Sequence, residues 1–197
     1  TLMKLVAILR INSRISTVPI IERCLHRLSD LCDEIVIADN GSSKEMFIVY
    51  RNLPKIVYVE KVEGFGESRD RSLALRLARS RKPDWILWID SDEIFEPYAT
   101  RSMLENYMHR SNLNLVTFRL FHFWLQPEKF RVDGKWLFYT SRPQRMMWRN
   151  TSSAHFADTK FHGGGIIGIA RNHKTSIIRI KHLGYLKMGL LERKNSL

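Results

Sequence analysis

The chain is predicted to be a single α/β domain. Its central sheet should be mostly parallel and flanked by helices, with a smaller mixed or antiparallel portion beside it. Two observations predict this. Through residue 97, short apolar runs alternate with stretches of helical periodicity, which is how parallel strands and their crossover helices read in sequence. After Pro97 the alternation stops, and the remaining apolar segments follow one another as strands do in antiparallel pairings. With 197 residues and 44% hydrophobic content, the chain can bury one substantial core, and disorder is excluded as the default.

Leu5 to Leu9 is a continuous apolar run, as expected of a strand buried on both faces. From about Thr17 to Leu31, Ile20, Ile21, Cys24, Leu25, Leu28 and Leu31 recur at helical spacing. Ser16 or Thr17 stands at the N-cap, and Pro19 is tolerated in the first turn. Glu34 to Ala38 reads as a second strand and runs into the turn-forming Asp39-Asn40-Gly41-Ser42-Ser43. A short helix follows to about Tyr50, then a strand at Lys55 to Val59. Glu67 to Ser80 is predicted helical, with Leu73, Ala74, Leu77 and Ala78 on its inner face. Trp85 to Ile89 is the most apolar strand and ends in Asp90-Ser91-Asp92-Glu93.

In the second half, Pro97 is expected to open a helix to about His109. Strands are expected at Leu113 to Phe123, Phe130 to Phe138, Arg142 to Trp148 and Thr175 to Lys181. Asn150 to Gly165 reads as a loop, with Gly163-Gly164-Gly165 as a hinge. The stretch from Gly184 onward reads as a helix that stops without a cap, so the domain is expected to belong to a longer protein.

The formal charge of +12 is unevenly placed. Residues 1–100 carry 15 basic and 15 acidic side chains, whereas residues 101–197 carry 17 and 5. A balanced half and a basic half indicate two tasks within one domain, with the basic half suited to something anionic: a phospholipid surface, a lipid-diphosphate acceptor or an acidic glycan. Cys24 and Cys32, eight residues apart, form neither a disulfide framework nor a zinc pattern. The sequence shows no signal peptide and no apolar run of membrane-spanning length. These features lead to the expectation of a cytoplasmic protein, peripheral at a membrane surface through the basic half.

In an open parallel sheet, ligands bind beyond the carboxyl ends of the strands. Three polar clusters fall at such ends: Arg10-Ile11-Asn12, Asp39-Asn40-Gly41-Ser42, and Asp90-Ser91-Asp92-Glu93. The last is the hardest to explain as structure alone, because three carboxylates within four residues repel one another after so apolar a strand. A divalent cation among them would offset that cost. Oxygen ligands favour Mn2+ or Mg2+ over zinc. An ion there would neutralise charge on a departing diphosphate.

Taken together, Leu5–Leu9, Asp39-Asn40-Gly41-Ser42-Ser43, Arg69-Asp70-Arg71 with Leu73-Ala74, and Trp85 through Glu93 resemble glycosyltransferase family 2. The resemblance extends more loosely through Arg142-Pro143-Gln144-Arg145-Met146 and Ile178 to Tyr185. It implies a GT-A fold, a nucleotide-sugar donor (a UDP-sugar favoured), a glycan or lipid-linked acceptor, and inversion at the anomeric carbon. By position, Leu9 and Arg10 border the nucleotide, Asp39 and Gly41 lie at the base, and Arg69 approaches the base or phosphates. Asp90 and Ser91 face the ribose or sugar. Asp92 ligates the metal, with His182 matching a late histidine that completes such sites. The family's double aspartate is Asp39-Asn40 here, and its catalytic-base motif is not evident.

An inverting transfer needs a general base at the acceptor hydroxyl. Acidic residues are scarce after residue 100. Asp158, in the loop before His162, is the first choice and Asp133 the second. Trp124, Trp136, Tyr139 and Trp148 are weighed as sugar platforms against a core role. A sugar nucleotidyltransferase is disfavoured because Arg10 to Ser16 lacks glycine. A polyanion- or nucleic-acid-binding module would use the basic half but would not explain carboxylates at strand ends. A family-like domain without activity stays open at this level.

Overall fold

The structure, a computed structural model, describes residues 2–12, 16–64, 66–134, 136–137, 143–158, 165–170 and 172–186. Eight strands form the main sheet: β1 (Leu5–Ile11), β2 (Glu34–Asp39), β3 (Ile56–Lys61), β4 (Trp85–Trp88), β5 (Glu93–Phe95), β6 (Leu115–Trp124), β7 (Pro143–Arg149) and β10 (His173–Tyr185). Their order is β3-β2-β1-β4-β7-β6-β10-β5. β8 (His155–Phe156) and β9 (Ile166–Ile167) pair separately, antiparallel. The helices are α1 (Val18–Leu31), α2 (Lys44–Asn52), α3 (Glu67–Ser80) and α4 (Arg101–Met108).

The first four strands of the main sheet are parallel, as the alternating pattern predicts. β7 then enters antiparallel between β4 and β6, while β6 and β10 run parallel. The chain builds outward from β1 through β2 to β3, then returns along α3 to lay β4 on the other side of β1. The reversal leaves a crevice beyond the carboxyl ends of β1 and β4, the ligand-binding position in such sheets.

Side-chain alternation along β1 divides the core. Leu5, Ala7, Leu9 and Ile11 pack with residues of α1, α2 and α4, whereas Val6 and Ile8 pack with Ala74, Leu75 and Ala78 of α3. The helix α1 buries Ile21, Cys24, Leu25, Leu28 and Leu31, the stripe its spacing predicts. Thr17 is its N-cap, though the hydroxyl makes no capping bond.

Several expectations are corrected. The helix after Pro97 begins at Arg101, where the Thr100 hydroxyl caps the Met103 N–H. The expected strand Phe130 to Phe138 reduces to one bridge, Phe123 to Phe130, among its described residues. Part of the expected loop from Asn150 pairs as β8 with β9, and Phe156 seats edge-on against Trp88 at 5.2 Å. Strands of two residues carry no periodicity to read. Gly184 lies in β10 rather than opening a helix. On α3 the buried stripe is Asp70, Arg71, Ala74, Leu75 and Ala78, displaced from the predicted face. Residues 159–164, with His162, Gly163 and Gly164, lie outside the described residues, as do Tyr139, Arg142 and the stretch beyond Leu186.

Candidate active site

Three strand ends and the start of α3 converge at the crevice. Arg10, on the α3 side of β1, donates through Nε to Asp70 Oδ2 at 2.9 Å and pairs with Glu67 at 3.7 Å. Asp70 is fully buried. Its Oδ1 accepts from Arg69 Nε and NH2 at 2.9 and 2.8 Å, and its Oδ2 also accepts from Asn40 at 3.3 Å. Arg69 keeps about half its side chain exposed, facing outward from this anchor. At the end of β2, Asp39 is buried. One carboxylate oxygen accepts from the Ser42 N–H at 2.8 Å and the other from the Tyr50 hydroxyl at 3.0 Å. Gly41, in the turn between them, has φ +81°, a conformation that favours glycine. Leu9 is buried in the helix-side core, so any contact it makes with a nucleotide is through its main chain.

The acidic turn after β4 divides its carboxylates between two sets of partners. Asp90 faces two arginines. Arg145 donates to its Oδ2 at 2.5 Å, and Arg71 reaches both oxygens at 3.3 Å. Both guanidiniums also lie 4.7 Å from the centre of the Trp88 ring, an arrangement favourable to cations. Burial opposes the Asp90 charge, but Arg145 and then Arg71 hold its carboxyl well below the usual range. Ser91 is buried in the turn. Glu93 is fully buried. Its Oε2 accepts from Arg145 Nε at 2.5 Å and from the Asp90 N–H at 2.9 Å. Burial pushes its pKa up, against the pull of Arg145.

Asp92 points the other way. Its Oδ2 lies 3.4 Å from His182 Nε2 on β10, and its carbonyl accepts from the Leu183 N–H at 2.8 Å. Donor atoms of Asp92, Glu93 and His182 all lie within 4.8 Å of one another. Two details show that this set fits a hard divalent ion. Glu93 Oε1 is buried without a hydrogen-bond partner among the described residues. A Cβ on Gly184 would stand 2.3 Å from Asp92 Oδ2, so glycine keeps the notch beside the carboxylate open. Two carboxylates and one imidazole suit Mn2+ or Mg2+.

Of the residues selected from sequence, the structure brings Arg10 and Arg69 together on Asp70, which was not selected, and gathers Asp90, Asp92 and His182 in a second cluster. Asp133 is exposed and paired with Arg131, which holds its carboxyl below the usual range. Asp158 follows β8, where the Ala157 carbonyl accepts from Ser68 of α3 at 3.1 Å, which docks this segment on the helix that carries Arg69 to Arg71. Trp148 is fully buried and belongs to the core, whereas Trp124, Trp136 and Tyr185 cluster with His122 and His182 at ring distances of about 5 Å. Sequence reasoning did not select Arg71, Arg145 or His122. For Arg71 a signal existed: it shares the inner stripe of α3, where a charged side chain requires a partner.

No curated protein sequence matches the chain. Among solved structures, S. aureus TarS residues 1–349 match at 17% identity, covering 75% of this chain and 47% of that one, with a TM-score of 0.52. A second S. aureus TarS structure matches at 18% identity, over 75% of this chain and 28% of that one, with a TM-score of 0.51. The chain thus spans less than half the length of the structures it resembles. At such identities the likeness shows the fold, which is GT-A. The family model described as Glycosyl transferase family 2 matches residues 12–161, and the chain belongs to that family.

Proposed function

We propose that the chain is the donor-binding and catalytic domain of a metal-dependent, inverting glycosyltransferase. It would move a sugar from a nucleoside-diphosphate donor, with a UDP-sugar as the first to test, to a glycan or lipid-linked acceptor. The observation that carries this reading is the Asp92, Glu93 and His182 donor set at the carboxyl end of the sheet, beside Asp90 with its two arginines. Membership of family 2 supports the reaction class.

In this reading Asp92 and His182 hold Mn2+ or Mg2+, with Glu93 behind them. The ion supplies neutralisation of the diphosphate as it departs. Asp39 and the Gly41 turn receive the base, and Arg10 and Arg69 line the phosphate side. Asp90 faces the ribose or sugar, its carboxylate kept charged by Arg145 and Arg71. Asp158 takes the proton from the acceptor hydroxyl as that oxygen bonds to the anomeric carbon and the bond to the nucleoside diphosphate breaks. Asp133 is the alternative base. The acceptor lies along residues 98–197, whose positive balance attracts an anionic carrier or glycan. Among the described residues no helix is long and apolar enough to cross a membrane.

Calorimetric titration of UDP, GDP, dTDP and CMP, each with and without Mn2+, tests the reading. One nucleotide should bind in a Mn2+-dependent manner, and Asp92→Ala should abolish that dependence while retaining the fold. If no nucleotide binds, or if binding ignores both Mn2+ and Asp92→Ala, the metal-dependent donor site is refuted.

A further inference from the structure

Across three neighbouring strands the register places Glu93 of β5 opposite His182 of β10, and His182 opposite His122 of β6. The row therefore runs from Glu93 through the proposed metal ligand His182 to a second histidine that no part of the reaction uses. His122 and His182 are both buried, and their Nδ1 atoms lie 3.2 Å apart. Two facing ring nitrogens at that distance share a single proton: one Nδ1 donates and the other accepts. Two arrangements satisfy this. If His122 donates, neutral His182 carries its proton on Nε2, which then faces Asp92 Oδ2 as a donor and offers no lone pair. If His182 donates, its Nε2 lone pair points toward Asp92 and the notch beside Gly184.

We infer that His122 is the positioning residue of the metal site: it accepts the His182 Nδ1 proton and so fixes His182 as an Nε2 ligand. The inference rests on the metal-dependent reading above. Ligating histidines require such a partner at the other ring nitrogen to set tautomer and ring orientation. Here the partner is held from two sides. The β6–β10 pairing sets the backbone distance, and the Trp136 ring packs edge-on to His122 at 5.1 Å. Tyr185, three residues beyond His182, packs against both imidazoles at 5.1 and 6.0 Å, which further restricts their rotation.

The test compares Mn2+ affinity, by electron paramagnetic resonance in the presence of UDP, for the wild-type chain, His122→Phe, His122→Asn and Asp92→Ala. Phenylalanine keeps the ring contacts and removes the acceptor; asparagine restores a carbonyl acceptor. His122→Phe should lose about 10–100-fold in Mn2+ affinity. His122→Asn should recover most of that loss, which a merely structural role would not produce. Wild-type affinity in His122→Phe, or equal losses in both His122 variants, would overturn the inference. If Asp92→Ala lowers affinity while His122→Phe does not, only the role of His122 falls. If neither lowers it, the metal-dependent reading falls as well. Histidine 15N shifts of the wild type loaded with diamagnetic Mg2+ and UDP decide the matter even where a variant does not fold: a proton on His182 Nε2 in that state refutes the assignment.

Discussion

Gly184→Ala is the most informative single change. The added methyl would stand 2.3 Å from Asp92 Oδ2 and 2.9 Å from His182 Cε1. An ordinary carbon–oxygen contact needs about 3.3 Å, so one partner must retreat by about 1 Å. Backbone strain does not contribute, because Gly184 is not among the glycines with positive φ. The Asp92 main chain is pinned by the Leu183 N–H at 2.8 Å, which leaves the carboxylate as the part that yields. Overpacking of this kind costs about 1–3 kcal/mol of stability. Displacing a ligand by about 1 Å should cost on the order of a hundredfold in Mn2+ affinity, or about 2.8 kcal/mol. Calorimetric titration of Mn2+ in the presence of UDP reads the second effect, and thermal unfolding the first. Mn2+ affinity within about twofold of wild type would show that the notch between Asp92 and His182 is not where the ion sits.

Arg145→Met should destabilise the fold by about 3–5 kcal/mol in chelator, because fully buried Glu93 and the partly exposed Asp90 beside it lose their strongest partner; a loss below about 1 kcal/mol in denaturant unfolding would refute the pairing. Asp158→Asn should lower turnover at least about a hundredfold while leaving donor affinity unchanged, and normal turnover would move the base to Asp133. Glu34 accepts from Arg81 and Lys4, whose hydrogen bonds lower its pKa to about 2. Its stabilising contribution is therefore present above the unfolded pKa near 4.5 and lost as pH falls through about 2. Glu34→Gln should cost about 1 kcal/mol at pH 7, and its deficit relative to wild type should close in acid; a deficit independent of pH would be the contrary result.

The first half of the fold was legible because each strand and helix there carries a strong local pattern. Leu5 to Leu9, Thr17 to Leu31 and Glu67 to Ser80 are long enough for periodicity to decide, and the observed elements agree within one or two residues. The second half was less so. Its strands are set by pairing with distant partners rather than by their own pattern. β7 takes its place between β4 and β6, while β8 and β9 have two residues each. Phe130 to Phe138 has the composition of a strand, yet among its described residues Phe130 alone makes a β-bridge.

The acidic turn shows why a site is harder to read than a fold. From sequence, Asp90, Asp92 and Glu93 are three like charges that together require a cation. In space the requirement is divided. Arg71, from α3, and Arg145, from β7, neutralise Asp90, and Arg145 also holds one oxygen of Glu93, so protein charges meet part of the demand. What remains is Asp92, the other Glu93 oxygen, and His182, delivered by β10 from 90 residues beyond Asp92. The proposed residual site is smaller than the sequence suggested and better defined: its donors are few, His122 faces His182, and its room is kept by a glycine. Arg71 and Arg145 also sit 4.7 Å from the same Trp88 ring. They are therefore fixed structural charges, whereas Arg69, though anchored on Asp70 and the Gly64 carbonyl, keeps about half its side chain exposed. Two kinds of arginine thus differ here, the buried ones setting the charge state of Asp90 and the half-exposed one being the residue proposed to meet the donor. Neutralising Arg69 should weaken nucleotide binding in calorimetric titration and, because fully buried Asp70 would lose both donors to its Oδ1, lower stability too, by less than at Arg145 because Arg10 and Asn40 still hold the other oxygen.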